Sequence, residues 1–267
     1  MNKEYIELIH DENEVKWFFD KVLPPLAPAE IYFFSLSARN KYLTTEEREM
    51  YGLGRTEMFE KTIVRERNWE KFIKKIRRLE CDTRGYVTRK NLPIPSKTMV
   101  LYVNINPSNT LKAIGMLNKL LNEYFQEMGS LALKGGDTEN FINRINKIDN
   151  NLMSYYQQAT GTVHWVDFDF DVPKDINIVD YSTEILKEFE ISNFHWIDTK
   201  SGYHCLVDSK QIRFNPNDLL KKIEEVLLAE NMINSEEKYE IIYNKNAMVP
   251  LPGTLQGGHP VRILNTY

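Results

Sequence analysis

The sequence predicts an α+β protein. Runs with the three- and four-residue apolar spacing of helices alternate with short apolar runs of strand length along all 267 residues. From residue 162 the alternation becomes regular. Two of its strand runs, 194–198 and 203–208, are separated by a short polar turn, as in an antiparallel hairpin. The 42% apolar and 27% charged residues are ordinary for a globular chain, enough to core one large domain or two small ones.

The first helical run covers 4–23, with Ile6, Ile9, Val15, Phe18, Phe19 and Val22 on one face, and Pro24-Pro25 ends it. Ile31–Leu36 is a strand, whose Tyr32, Phe33 and Phe34 read as core rather than a base-stacking platform, and Ser37–Lys41 is a polar turn. Helical spacing returns at 44–51 and 66–79. A Pro/Gly-punctuated stretch at 83–97, with Gly85, Pro93 and Pro95, marks a boundary. The expected division is a helical α/β module over 1–95 and a second module over 96–267, together forming one catalytic domain.

In the second module Met99–Ile105 is a strand, Asn106-Pro107-Ser108 opens a helix over 108–128, and another helix covers 138–157. Strands follow at 162–170, 194–198, 203–208 and 239–243, with helices at 180–190 and 216–231. Extended pieces near 247–251 and 260–264 close the series. Helices over a mostly antiparallel sheet describe an RRM-like layer.

Composition bounds the function. No apolar run approaches the ~18–20 residues that span a membrane, so no membrane partner is expected. The first residues lack the blocks of a signal peptide, which makes the cytoplasm the expected location. Cys81 and Cys205 match no C-x-x-C pattern, so neither a disulfide framework nor a zinc site is expected. Net charge is −4, but Arg55–Lys90 holds 12 Lys/Arg against 6 Asp/Glu, a surplus of +6 that leaves −10 on the rest. Such a segment is either a solvated helix face or a track for phosphates.

Chemistry concentrates in Trp165-Val166-Asp167-Phe168-Asp169-Phe170. On a strand Asp167 and Asp169 share one face, about 7 Å apart, and the apolar residues share the other. Two such acids repel each other, and burying them unpaired is costly. A divalent cation with hard oxygen ligands, Mg²⁺ or Mn²⁺, resolves both costs. Downstream, Lys200-Ser201-Gly202-Tyr203-His204 sits at the hairpin turn. There Gly202 permits a sharp or left-handed backbone, and His204, pointing outward with Ser201 beside it, suits a phosphate. Glu240 on the 239–243 strand, then Asn244 and Asn246, lead into Pro252-Gly253-Thr254, whose glycine lets backbone approach a ligand.

D-x-D on a strand, S-G-x-H on the next hairpin, then an acid-bearing strand leading into P-G-T resembles, in this order, the archaeo-eukaryotic primase superfamily. Within it, the chain is most similar to the prim-pol branch found in mobile elements and beside CRISPR loci. The motif-bearing part spans about 160–264; the first 95 residues match only through the aromatic strand and the basic segment. The resemblance implies a primase catalytic core and template-dependent two-metal nucleotidyl transfer, making primers de novo on single-stranded DNA from nucleoside triphosphates. It further implies helicase, replication or CRISPR proteins as partners.

Carried over, Asp167 and Asp169 hold the metals, with Glu240 as third carboxylate. Lys200, Ser201, Gly202, His204, Asn246, Pro252, Gly253, Thr254 and Arg262 surround the nucleotide. Arg39, Lys41, Arg65, Lys74 and Arg78 grip template phosphates. The chain departs from the pattern at the third acid. No aspartate follows Asp218, and Glu240 lies one or two residues closer to Pro252 than the family spacing. If Glu240 faces away, the second metal is held mainly through the substrate.

Two other readings remain open at this stage. One is a different metal-dependent phosphoryl-transfer enzyme, such as a nuclease or untemplated nucleotidyltransferase; the other is a non-catalytic nucleic-acid-binding relative. Gly135-Gly136-Asp137 resembles a cyclase motif but lies between helical runs, so it reads as a turn. Tyr155-Tyr156 resembles a nuclease nucleophile pair, but no H-x-H metal site accompanies it. His164, His195 and His259 form no close metal pair, and His164 reads as structural.

Overall fold

The computed structural model describes residues 6–80, 86–134, 138–233 and 239–264. Cys81, Gly85 and Gly135-Gly136-Asp137 lie outside the described residues. The described chain is α+β. In order its elements are α1 (Glu12–Lys21), β1 (Glu30–Arg39), α2 (Thr45–Tyr51), β2 (Thr56–Val64), α3 (Trp69–Arg77), β3 (Met99–Asn104), β4 (Ser108–Asn109) and α4 (Thr110–Lys134). There follow α5 (Thr138–Ile145), α6 (Ile148–Gln158), β5 (Trp165–Asp171), α7 (Ile176–Glu188), β6 (Phe194–Asp198), β7 (Tyr203–Asp208) and α8 (Pro216–Ala229). Short strands end the chain: β8 (Glu240–Asn244), β9 (Met248–Pro250), β10 (Leu255–Gln256), β11 (His259–Pro260) and β12 (Arg262–Ile263).

Local chemistry fixes the helix ends. The Asp11 carboxylate accepts from the amides of Asn13 and Glu14 and starts α1, so Ile6 and Ile9 precede the helix instead of lying on it. Ile9 instead bridges to Thr254. A Thr44/Glu47 capping box opens α2. The run 138–157 divides into α5 and α6, and 108–128 extends to Lys134. Strand β2 lies in a stretch where the sequence shows no strand, because its exposed and half-buried residues mix charge with apolar groups at a sheet edge.

Two larger antiparallel sheets share one core, and β10 and β11 form a short two-stranded sheet beside them. The first has strand order β2-β1-β3-β9, with β4 also on β1; the second is β12-β6-β7-β5-β8. The expected boundary at 95/96 therefore falls inside one sheet, since β1 and β2 precede it while β3 and β9 follow it. On the outer face of the second sheet, Phe168, Phe170, Trp196 and Cys205 pack on α7 and α8 through Ile178, Ile185, Leu219 and Ile223. Its inner face contributes Trp165, Ile197 and Leu206 to a core shared with Tyr32, Phe34, Leu101 and α1. The period of two along β5 puts Asp167 and Asp169 on that inner face. Apolar burial on both faces of the second sheet holds the acid-bearing strand rigidly in place.

Candidate active site between two sheets

Strand register assembles the site. Asp169 lies opposite His204 on β7 and opposite Ile242 on β8, while Asp171 lies opposite Glu240 and Asp167 opposite Asn244. His204 is anchored: its Nδ1 lies 3.1 and 3.0 Å from Oδ1 and Oδ2 of Asp167, and 3.7 Å from Oδ1 of Asp169. Burial by itself would depress the imidazole, but the carboxylate of Asp167, its hydrogen bond and the charge of Asp169 raise it to about 9. At neutral pH His204 is an imidazolium set against two acids. This ring does not stand alone and outward-facing, as the sequence suggests for a phosphate contact.

The two acids are not equivalent. Asp167 is buried and both its oxygens face His204, whereas the Asp169 side chain is 40% exposed and lines a cavity of about 190 Å³. Burial raises the Asp169 carboxyl; His204 opposes this, and the carboxylates of Asp167, Asp171 and Glu240 add to it. Asp171, Ser201, Gly202 and Thr199 complete that wall.

The opposing wall comes from the first sheet. Arg39, the last residue of β1, donates from Nη1 to the Tyr102 hydroxyl at 2.7 Å. Lys41, two residues on, donates to Ser201 Oγ at 2.7 Å and so bridges the two halves. Burial and Arg39 lower the Lys41 ammonium, while Asp171 and Asp169 pull it back up. Met248 and Pro250 on β9 and Gln256 on β10 close the cavity floor. Arg39 and Lys41, expected at the template, thus face the acids directly.

Other expected site residues lie elsewhere. Pro252, Gly253 and Thr254 are buried against the start of α1, where the Gly253 carbonyl accepts from the amides of His10 and Asp11 at 2.8 and 2.9 Å. Gly253 has φ +81°, and an added Cβ would meet Asp11 O at 2.4 Å, so this glycine serves chain docking. Lys200 pins the following turn: its ammonium donates to Gly257 O at 2.5 Å and lies 4.6 Å from the Tyr42 ring centre. Gly202 has no left-handed backbone. It is required because a Cβ there would sit 1.9 Å from Phe170 O on β5. Asn246 is exposed and accepts from Thr160, Arg262 is exposed on β12 opposite Asp198, and Glu240, the exposed first residue of β8, pairs with Asp171 but does not line the cavity. Arg65, Lys74 and Arg78 gather at a separate groove.

Sequence reasoning missed Asp171, Tyr102, Thr199 and Gln256. Asp171 carries a legible signal, since it continues the period of two from Asp167 and Asp169. Thr199 sits in the same hairpin turn as Ser201 and was overlooked there, whereas Tyr102 and Gln256 reach the cavity from strands distant in sequence. No family model, curated protein or solved structure matches this chain.

The residues can be tested against the divalent cation that the resemblance implies. Among the described residues no group of three or more His, Cys, Asp or Glu side chains converges to hold a metal. Asp169 and Asp171, however, offer hard oxygen donors side by side on one wall of the cavity. Mg²⁺ commonly takes one or two protein carboxylates and completes its shell with water and substrate phosphates. That modest donor set fits here.

Proposed function

We propose that this chain is a template-dependent primase-polymerase of the archaeo-eukaryotic primase type, joining nucleoside triphosphates on single-stranded DNA. The observation that carries the reading is the cavity in which Asp169 and Asp171 face Arg39 and Lys41, with His204 held on Asp167 at its side. A nucleoside triphosphate brings its own negative charge and needs cations from both directions. Opposed acidic and basic walls meet that need if Mg²⁺ or Mn²⁺ sits at the acids.

In this reading Asp169 and Asp171 hold the metal ions. When bound, those ions supply activation of the attacking 3′-hydroxyl and neutralisation of the phosphates. Arg39 and Lys41 pair with β- and γ-phosphate oxygens and offset charge on the departing pyrophosphate. The His204 imidazolium adds a fixed positive charge, oriented by Asp167. Ser201, by engaging Lys41, ties the two sheets together so that nucleotide and acids meet in one geometry.

The test is unprimed synthesis. Protein, single-stranded DNA, labelled nucleotides and Mn²⁺ or Mg²⁺ are incubated beside Asp169→Asn. Template-dependent short products from the wild type alone support the reading. Extension only from a supplied primer demotes it to a polymerase, and untemplated products identify a different nucleotidyltransferase. Absence of product in every arm, with DNA binding retained, leaves a binding protein.

A further inference from the structure

A second concave site lies away from the cavity. Where β2 ends, Arg65 and Glu66 face Lys71, Lys74, Lys75 and Arg78 across a groove of about 370 Å³. The spacing i, i+3, i+4, i+7 puts the last four on one face of α3 and its C-cap. Phe72 and Ile76 anchor the helix from its other side. The groove therefore holds five cations against one acid, and that acid is already matched by Lys71. Lys75 donates to the Ile63 carbonyl at the end of β2. Arg65, Lys74 and Arg78 make no ion pair among the described residues.

Two cations nearby are compensated. Arg77 pairs with Glu12 and Glu80, and Lys16 with Asp20. On the groove, Arg65, Lys74 and Arg78 lack such partners among the described residues. Lys75 feels this, since burial and then repulsion from Arg65 and Arg78 lower its ammonium. Favourable interaction with the C-terminal dipole of α3 explains cations in the last turn. It does not explain Arg65, which arrives from β2.

Strand register places the groove far from the cavity. Arg39 pairs with Thr56 and Tyr32 with Val64, so the two sites stand seven residues apart along β1, roughly 23 Å. α3 packs on the Phe34 side of the sheet, opposite the side that carries Arg39. We propose that this groove is a second phosphate-binding site, holding the backbone of single-stranded nucleic acid at least about seven stacked nucleotides from the cavity. Anion binding stands on the groove's own charge; only the identity of the polyanion rests on the function proposed above.

The experiment is fluorescence anisotropy with labelled oligothymidylates of 5 and 16 nucleotides, in EDTA, across a salt series. The variants are Arg65→Gln/Lys74→Gln/Arg78→Gln and a control that removes equal charge elsewhere, Lys119→Gln/Lys147→Gln/Lys222→Gln. The groove variant should bind the 16-mer about tenfold more weakly and lose most of the advantage of the 16-mer over the 5-mer. Its plot of log K against log salt should be shallower by about 2, at ~0.7 for each single-strand phosphate that the groove no longer neutralises. The control should keep slope and length dependence. Equal effects of the two variants, or an unchanged slope in the groove variant, would overturn the proposal. Primer synthesis run in parallel separates the two ideas. Product with an unchanged slope removes the groove alone, and a changed slope without product removes the polymerase alone.

Discussion

The cross-strand neighbour of His204 is Asp169, yet its Nδ1 turns to Asp167, two residues along β5, and faces both carboxylate oxygens at 3.0 and 3.1 Å. The choice follows from burial. Asp167 has almost no solvent and needs a partner for its charge, whereas Asp169 keeps access to the cavity. The imidazolium thus neutralises the inner acid and leaves the outer one for a ligand.

Replacing Asp167 should release the ring. In Asp167→Asn the largest influences that raise His204 are gone while its desolvation stays, so its pKa should fall from about 9. A raised histidine contributes stability in full below its unfolded value, and that stability drains as pH rises through the folded one. The variant should therefore be destabilised by on the order of 1–3 kcal/mol at pH 6, with the deficit closing above pH 9. An imidazole NMR titration reads the pKa, and urea unfolding at the two pH values reads the stability. A ring still titrating near 9 would remove the ion pair from the account.

Asp169 should show opposite signs for activity and stability. Its carboxyl is raised by burial and by three neighbouring acids, so its charge costs the fold at neutral pH. Asp169→Asn should abolish nucleotidyl transfer, a loss of about 10³-fold or more. The same change should raise the melting temperature by roughly 2–4 °C, since the 40%-exposed side chain is screened and the gain is on the order of 1 kcal/mol. Asp171→Asn, at the solvent edge, should lose activity with little change in melting temperature. Calorimetry beside single-turnover assays decides. A destabilised Asp169→Asn would mean that the acid is structural.

How far the site was legible depends on the range of the interactions. Asp167 and Asp169 on one strand, and His204 on the hairpin beside it, follow from period-two spacing and local turns, and β5 and β7 indeed pair them. Arg39 and Lys41 are visible as cations, but their facing the acids depends on one sheet folding over another. Pro252-Gly253-Thr254 reads as a ligand loop by composition, whereas its glycine answers to the backbone of Asp11. β2 was invisible because an edge strand need not alternate cleanly.

Two glycines should respond in opposite directions to alanine. At Gly202 a methyl would sit 1.9 Å from the Phe170 carbonyl, so β5 and β7 must part next to the acids. Gly202→Ala should cost about 2–3 kcal/mol and reduce activity together with stability. Gly115 in α4 has no heavy atom within 4 Å of the added Cβ. Gly115→Ala should stabilise by about 0.5–1 kcal/mol, the helix-propensity gain, with activity unchanged. Denaturant midpoints for the pair test this, and a tolerated Gly202→Ala would contradict the close approach of the two strands.

His195 should govern the acid limb of stability. Its ring packs edge-on to Trp17 at 5.6 Å and tilted on Trp165 at 5.1 Å, and its Nδ1 is buried without a hydrogen-bond partner among the described residues. Burial pushes its pKa down to about 4. The unfolded chain, with an ordinary value near 6.5, therefore binds the proton first as pH falls. Stability is fully present above about 6.5 and drains between there and about 4, by on the order of 1–3 kcal/mol from this ring. The raised His204 contributes little slope in that window, because well below 6.5 its proton stays bound in both states. His195→Phe keeps the aromatic packing and removes the titration. Urea midpoints at half-unit steps from pH 4.5 to 7 should give a flatter curve for the variant, the two converging only toward neutrality. Parallel curves would show that the ring stays solvated and that the acid sensitivity lies with the carboxylates.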